Sequence, residues 1–154
     1  MSSFAERALR ALPPDLVTLR TPRAADQRAS VVELCRGALL SPVASPPLDR
    51  LAQGGRRIAV IVSDESRDEP RSDMLRALRE VLPWDRVTLV VASGTHEASH
   101  RAVPDEHRDR PVVVHGSGST VVDLGRTTRG TRIRLLDVVA EADLVVATGR
   151  VRPH

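Results

Sequence analysis

Three short apolar runs deliver polar residues to their ends: Ile58-Ala-Val-Ile-Val-Ser-Asp64, Val87-Thr-Leu-Val-Val-Ala-Ser-Gly-Thr-His96 and Ala142-Asp-Leu-Val-Val-Ala-Thr-Gly149, the last followed by Pro153-His154. Short runs rich in β-branched residues, apolar on both faces, suit buried parallel strands rather than half-solvated ones. A βα rhythm joins them. The pattern predicts strand 57–63, helix 71–82, strand 86–92, a polar helix or loop over 97–109 and strand 111–115. Short strands near 120–124 and 131–135, a one- to two-turn helix at 136–141 and strand 143–148 complete it. The expectation is an α/β fold in a single domain: a mostly parallel sheet with helices on both faces, Rossmann-like. Upstream, the spacing predicts a strand at Leu16–Leu19 and a helix from Ala24 to Leu40. A short proline-opened helix then follows within 45–52, stopped by Gly54-Gly55.

In an open α/β sheet, ligands bind outside the carboxyl ends of the strands. The three runs bring Asp64 and Arg67, His96 and His154 to that edge. Two histidines, an acid and an arginine suit proton transfer on a small anion. Each has a plainer reading. Asp64 caps the turn that follows, Arg67 is a solvated cation, and a loop histidine is exposed. His100 and His107 lie in a polar segment and are expected to be solvated, whereas His115 ends a strand and stands nearer the edge. Gly116-Ser-Gly-Ser-Thr120 resembles a phosphate-cradling nest but lacks the Gly-Lys-Ser/Thr ending of a P-loop, so a flexible turn is the better reading. Thr127-Thr128-Arg129-Gly130 offers hydroxyls and a guanidinium beside glycines.

Composition narrows the partners. The chain has 154 residues and a net charge of +3, and its 23 basic residues are all arginine. They are scattered among 20 acidic residues, and aromatics make up 1% of the chain. A nucleic-acid-binding module needs a basic stripe or aromatic platforms, so no nucleic-acid partner is expected. The one cysteine, Cys35, falls within a helical pattern and is expected to be a buried small hydrophobe. No signal-peptide core or bilayer-spanning run is visible, so no membrane association and a cytoplasmic location are expected.

Taken together, five segments resemble the nickel-dependent lactate racemase family. Ser45-Pro-Pro-Leu-Asp-Arg-Leu followed by Ile58–Pro70 is similar to that family's opening, in which a strand runs into Asp-x-Thr-Arg-Pro-x-Pro. Ser93-Gly-Thr-His96 is similar to its Thr-Gly-Thr-His. Leu124-Gly-Arg-Thr-Thr-Arg-Gly-Thr131 and Glu141–Gly149 with Pro153-His154 resemble its later motifs. The likeness runs over roughly residues 40 to 154.

The resemblance implies a 2-hydroxy-acid racemase or epimerase, an isomerase whose site lies between two α/β domains. It implies a nickel pincer nucleotide cofactor, held by a lysine shortly after the Pro-His motif and by a later histidine on nickel. By motif match His96 and His154 are the catalytic acid and base, and Asp64 and Arg67 bind substrate. Thr95, Thr127, Thr128, Arg129 and Gly130 help hold the nucleotide. The chain departs from the family where Ser66 replaces threonine and Asp68 replaces proline. It carries no lysine, and no metal ligand is assigned in it. The expectation is the family's N-terminal α/β domain over residues 1–154, without the C-terminal domain, inactive alone and not retaining the cofactor. The alternatives are a stand-alone nucleotide or small-anion binding domain, or one half of a split enzyme completed by a C-terminal partner chain.

Overall fold

The computed structural model describes residues 29–94, 97–116 and 118–149. The element order is α1 (Val31–Leu40), α2 (Leu48–Leu51), β1 (Ile58–Ser63), α3 (Arg71–Val81), β2 (Val87–Ala92), β3 (Val112–Val114), β4 (Val121–Arg126), β5 (Arg132–Leu136), α4 (Asp137–Ala140) and β6 (Leu144–Ala147). Three single 3-10 turns, at Trp84–Arg86, His100–Ala102 and Asp105–His107, fill the connections. The strand expected at Leu16–Leu19 lies outside the described residues, as do Thr95, His96 and His154.

Four strands form one parallel sheet in the order β3-β2-β1-β6. Ile58 aligns with Val87 on one side and Leu144 on the other. Alternate residues serve opposite faces. Ile58, Val60 and Val62, with Val87, Leu89 and Val91, meet Leu48 of α2 and Leu75 and Leu78 of α3 in the main core, with Leu39 of α1 packed against it. Ala59 and Val90 meet Leu136, with Ile61, Val138 and Val139 around them, in a smaller core on the opposite face. Both faces are therefore covered, which is why β1 reads as an unbroken apolar run. The covering is unequal. Three helices lie on one face, while the other has the four-residue α4 and the base of the antiparallel β4-β5 ribbon. That ribbon carries a bulge at Gly125, whose φ of +91° suits a residue without a Cβ.

Of the helix expected from Ala24 to Leu40, residues 24–28 lie outside the described residues, and within the described ones α1 begins at Val31 behind Ser30. Ser30 accepts from the Glu33 amide at 3.2 Å and the Glu33 carboxylate accepts from the Ser30 amide at 2.8 Å, a reciprocal capping box. The same contacts hold Glu33 below the usual carboxylate range, the Ser30 amide foremost. Cys35 is half-buried rather than fully buried, since α1 packs on α3 at the rim of the layer. Burial, then the charge of Asp73, push its thiol upward, so it stays neutral.

Candidate functional site at the carboxyl edge of the sheet

Chain order along the sheet reverses at β1: β2 and β3 lie to one side and β6 to the other. Loops leaving neighbouring strands diverge at such a point, and a crevice opens between them. A cleft of about 450 Å³ occupies that place, lined by Ser63, Asp64 and Arg67 after β1, Ser93 and Gly94 after β2, and Thr148 after β6. Thus the structure brings together the three strand ends singled out in the sequence. Asp64 and Arg67 line the cleft directly. Gly94 lies two residues before His96, and Thr148 lies six residues before His154.

The loop after β1 is built around Asp64, which is 4% exposed. Its Oδ1 accepts from the Ser66 amide at 2.8 Å and from the Ser66 hydroxyl. The Arg67 amide donates to the Asp64 carbonyl at 3.3 Å. Asp64 therefore does cap the turn, as the plainer reading held, while also lining the cleft. Two residues not singled out in the sequence brace this loop. The Arg71 guanidinium donates to the Asp64 carbonyl at 2.7 Å, the Ser63 hydroxyl at 3.2 Å and the Arg67 carbonyl at 3.4 Å. The Ser63 hydroxyl in turn donates to Glu69 at 2.6 Å. Arg71 opens helix α3, so the helix start and the cleft floor are tied together.

A second tie joins the loops after β1 and β2. The Ser99 hydroxyl donates to Glu65 at 2.8 Å and its amide donates at 3.4 Å. Glu65 is held below its ordinary value of 4.5, first by its own amide and then by the Ser99 hydroxyl. A depressed carboxyl pKa contributes stability that is complete above the unfolded value and lost as pH falls through the folded one. The tie is expected to hold at neutral pH and to loosen as pH drops below 4.5. Hydrogen exchange at the Ser99 amide, compared between neutral and acid conditions, reads this. Protection that survives full protonation of Glu65 would count against it.

The remaining candidates separate. Thr127, Thr128, Arg129 and Gly130 form the exposed tip of the β4-β5 ribbon, where the Gly130 amide donates to the Thr127 carbonyl at 2.9 Å. None of them lines the cleft. The Gly116 amide donates to the Ser119 hydroxyl at 3.0 Å, so the turn reading holds and that N–H is spent internally. His100 is exposed, as expected. His107, expected to be solvated, is instead buried: its Nε2 meets the Ser72 carbonyl at 3.2 Å and its ring meets the edge of Trp84. The 3-10 turn at Asp105–His107 swings it inward against α3. A smaller apolar pocket between α1, α3 and β6, lined by Cys35, Leu39, Met74, Leu78 and Val146, contains no acid, base or cation. Among the described residues, no three His, Cys, Asp or Glu side chains cluster to hold a metal ion, and no helix is long and apolar enough to cross a membrane.

Residues 6–154 match the sequence model of the family described as the Lactate racemase N-terminal domain. A lactate racemase from Lactiplantibacillus plantarum is 31% identical over 139 residues, covering 82% of this chain and 33% of the relative. A lactate racemase from Thermoanaerobacterium thermosaccharolyticum is 27% identical over 134 residues, covering 79% of this chain and 32% of the relative. The chain spans about a third of the length of these curated relatives.

Proposed function

The chain belongs to the lactate racemase N-terminal domain family, and from that premise we propose that its cleft is one half of the site of a 2-hydroxy-acid racemase or epimerase. The observation that carries the reading is the position of β1 between β2 and β6. Neighbouring strands lie about 4.8 Å apart, so the segments leading to His96 and His154 leave the sheet roughly 10 Å apart. Asp64 and Arg67 stand between them, in the loop that leaves the middle strand. A small carboxylate paired with Arg67 would then present its 2-hydroxyl to a histidine from either side, one serving each enantiomer. Imidazole exchanges a proton near neutral pH, which suits both directions of an isomerisation.

The cofactor belongs to the resemblance rather than to this stretch of chain. No lysine occurs in the 154 residues, and the described residues offer no set of metal ligands. Without a lysine the chain has no ε-amine to attach a nickel pincer nucleotide covalently, and the described residues do not fit nickel ligation. We assign those tasks to a C-terminal region or partner chain, corresponding to the two thirds of the relatives that this chain does not cover. The ribbon tip at Thr127–Gly130, with Arg129, and Thr95 beside His96 remain the proposed contacts to the nucleotide.

Chiral chromatography tests the reading. The protein joined to its C-terminal region and loaded with cofactor is expected to interconvert the enantiomers of lactate or a related 2-hydroxy acid. Residues 1–154 alone are expected to show none. Turnover by the 154-residue chain alone, or undiminished turnover by His96→Asn and His154→Asn variants of the loaded protein, would sink it. A small-anion binding domain is the second reading, favoured by the arginine in a cleft of this size. It predicts carboxylate binding by the isolated chain without turnover in any assembly.

A further inference from the structure

Ser93 is 6% exposed, lines the cleft and lies three residues before His96. Its hydroxyl sits between two atoms of one residue at the end of β3: the His115 carbonyl at 2.7 Å and the His115 Nδ1 at 3.2 Å. The His115 amide also donates to the Val91 carbonyl at 2.9 Å, extending the β2-β3 ladder past its last paired residues. A serine hydroxyl has one hydrogen. Two oxygens at 2.7 Å must have that hydrogen between them, so it goes to the carbonyl. What faces Nδ1 is then a lone pair, and an imidazole nitrogen meets a lone pair favourably only as N–H.

We propose that His115 is a positioning residue, held by Ser93 with Nδ1 protonated, which pins the Ser93-Gly94 turn and thereby the segment carrying His96. The proposal rests, for its link to catalysis, on the half-site reading above. Physically, the turn needs such a pin. Gly94 has φ of +57°, a conformation glycine adopts readily, and open space lies where a Cβ would stand, so no side chain of its own anchors the turn. The ladder ends at Ala92 on β2 and at Val114 on β3. Beyond that point, among the described residues, the Ser93–His115 pair and the His115 amide bond to Val91 tie the two strand ends together. The Nδ1 bond persists in imidazolium, which also carries a proton there, so the pin does not depend on the charge of His115.

Two measurements decide it. Long-range proton–nitrogen correlation spectra of the full chain above the imidazole titration read the tautomer without any activity. The Nδ1–H form is expected for His115 in the wild type, shifting toward Nε2–H in Ser93→Ala. An Nε2–H His115 in the wild type overturns the proposal outright. In the loaded enzyme, His115→Ala is expected to lower kcat by about tenfold or more with KM within about twofold, because misplacing a reacting group costs rate. His115→Asn, whose amide can still donate to Ser93, is expected to recover most of the loss. Unchanged kcat in His115→Ala, or no recovery in His115→Asn, overturns the positioning role. If the loaded wild type turns over no 2-hydroxy acid, the half-site reading fails instead, and the spectra still decide the tautomer.

Discussion

Replacing Leu75 with alanine is expected to cost about 2–5 kcal/mol of folding stability. Leu75 is fully buried in the first helical turns of α3 and belongs to the main core with Val60, Val62 and Leu89. The missing atoms forfeit their transfer free energy, and the void they leave forfeits contacts because the sheet beneath is fixed by ladders on both sides of β1. A domain of this size has only about 5–15 kcal/mol in total, so such a loss is a large share of it. The midpoint of urea unfolding should fall sharply with little change in slope. Leu75→Met conserves volume and should cost less than about 1.5 kcal/mol. Val43, 96% exposed, supplies the contrast: Val43→Ala should lie within about 0.5 kcal/mol of the parent. A Leu75→Ala midpoint close to that of Val43→Ala would contradict the assignment of this face as the core. The effect reaches the cleft, since Arg71 in the first turn of the same helix braces the loop that holds Asp64.

How far the fold could be read from the residues depends on how local the signal was. Strands β1 and β2 were legible because burial on both faces leaves continuous apolar runs, whereas β6 carries a similar run but leaves Val145 and Ala147 exposed on one face at the edge of the sheet. Helix α3 was legible because Leu75, Leu78 and Leu82 recur at helical spacing. The start of α1 at Val31 is also written locally, in the Ser30-Val-Val-Glu33 capping box. His107 was misread because its neighbours Asp105, Glu106 and Arg108 are all polar, and only the turn of the chain decides which of them faces Trp84. In the site, Asp64 and Arg67 were legible as strand-end residues. Arg71, Glu69 and the Ser93–His115 pair were not. Arg71 read as the first residue of a helix, and Ser93 and His115 meet only because β3 lies beside β2. Sheet order is a long-range property, and spacing along one sequence does not encode it.

That same sheet order makes Arg67 the residue whose removal should most affect binding. Its backbone is fixed at both ends: its amide donates to the Asp64 carbonyl, and its own carbonyl accepts from Arg71. Arg67 lines the cleft while remaining an exposed residue. A hydrogen bond to a charged group is worth about 1.5–3 kcal/mol, and each 1.4 kcal/mol is tenfold in affinity. Arg67→Ala is therefore expected to weaken 2-hydroxy-acid binding by roughly ten- to a hundredfold. Arg67→Lys keeps the charge but not the planar fork and should recover only part of it. Because the side chain is exposed, its removal should leave the unfolding midpoint within about 0.5 kcal/mol of the parent, separating a binding defect from a folding one. Arg50→Ala, on the exposed side of α2, is the control for loss of a positive charge alone. Steady-state KM in the loaded protein, or direct titration with a 2-hydroxycarboxylate, measures the effect. Equal losses in Arg67→Ala and Arg50→Ala would reduce it to general electrostatics, and no loss in Arg67→Ala would remove Arg67 from the site.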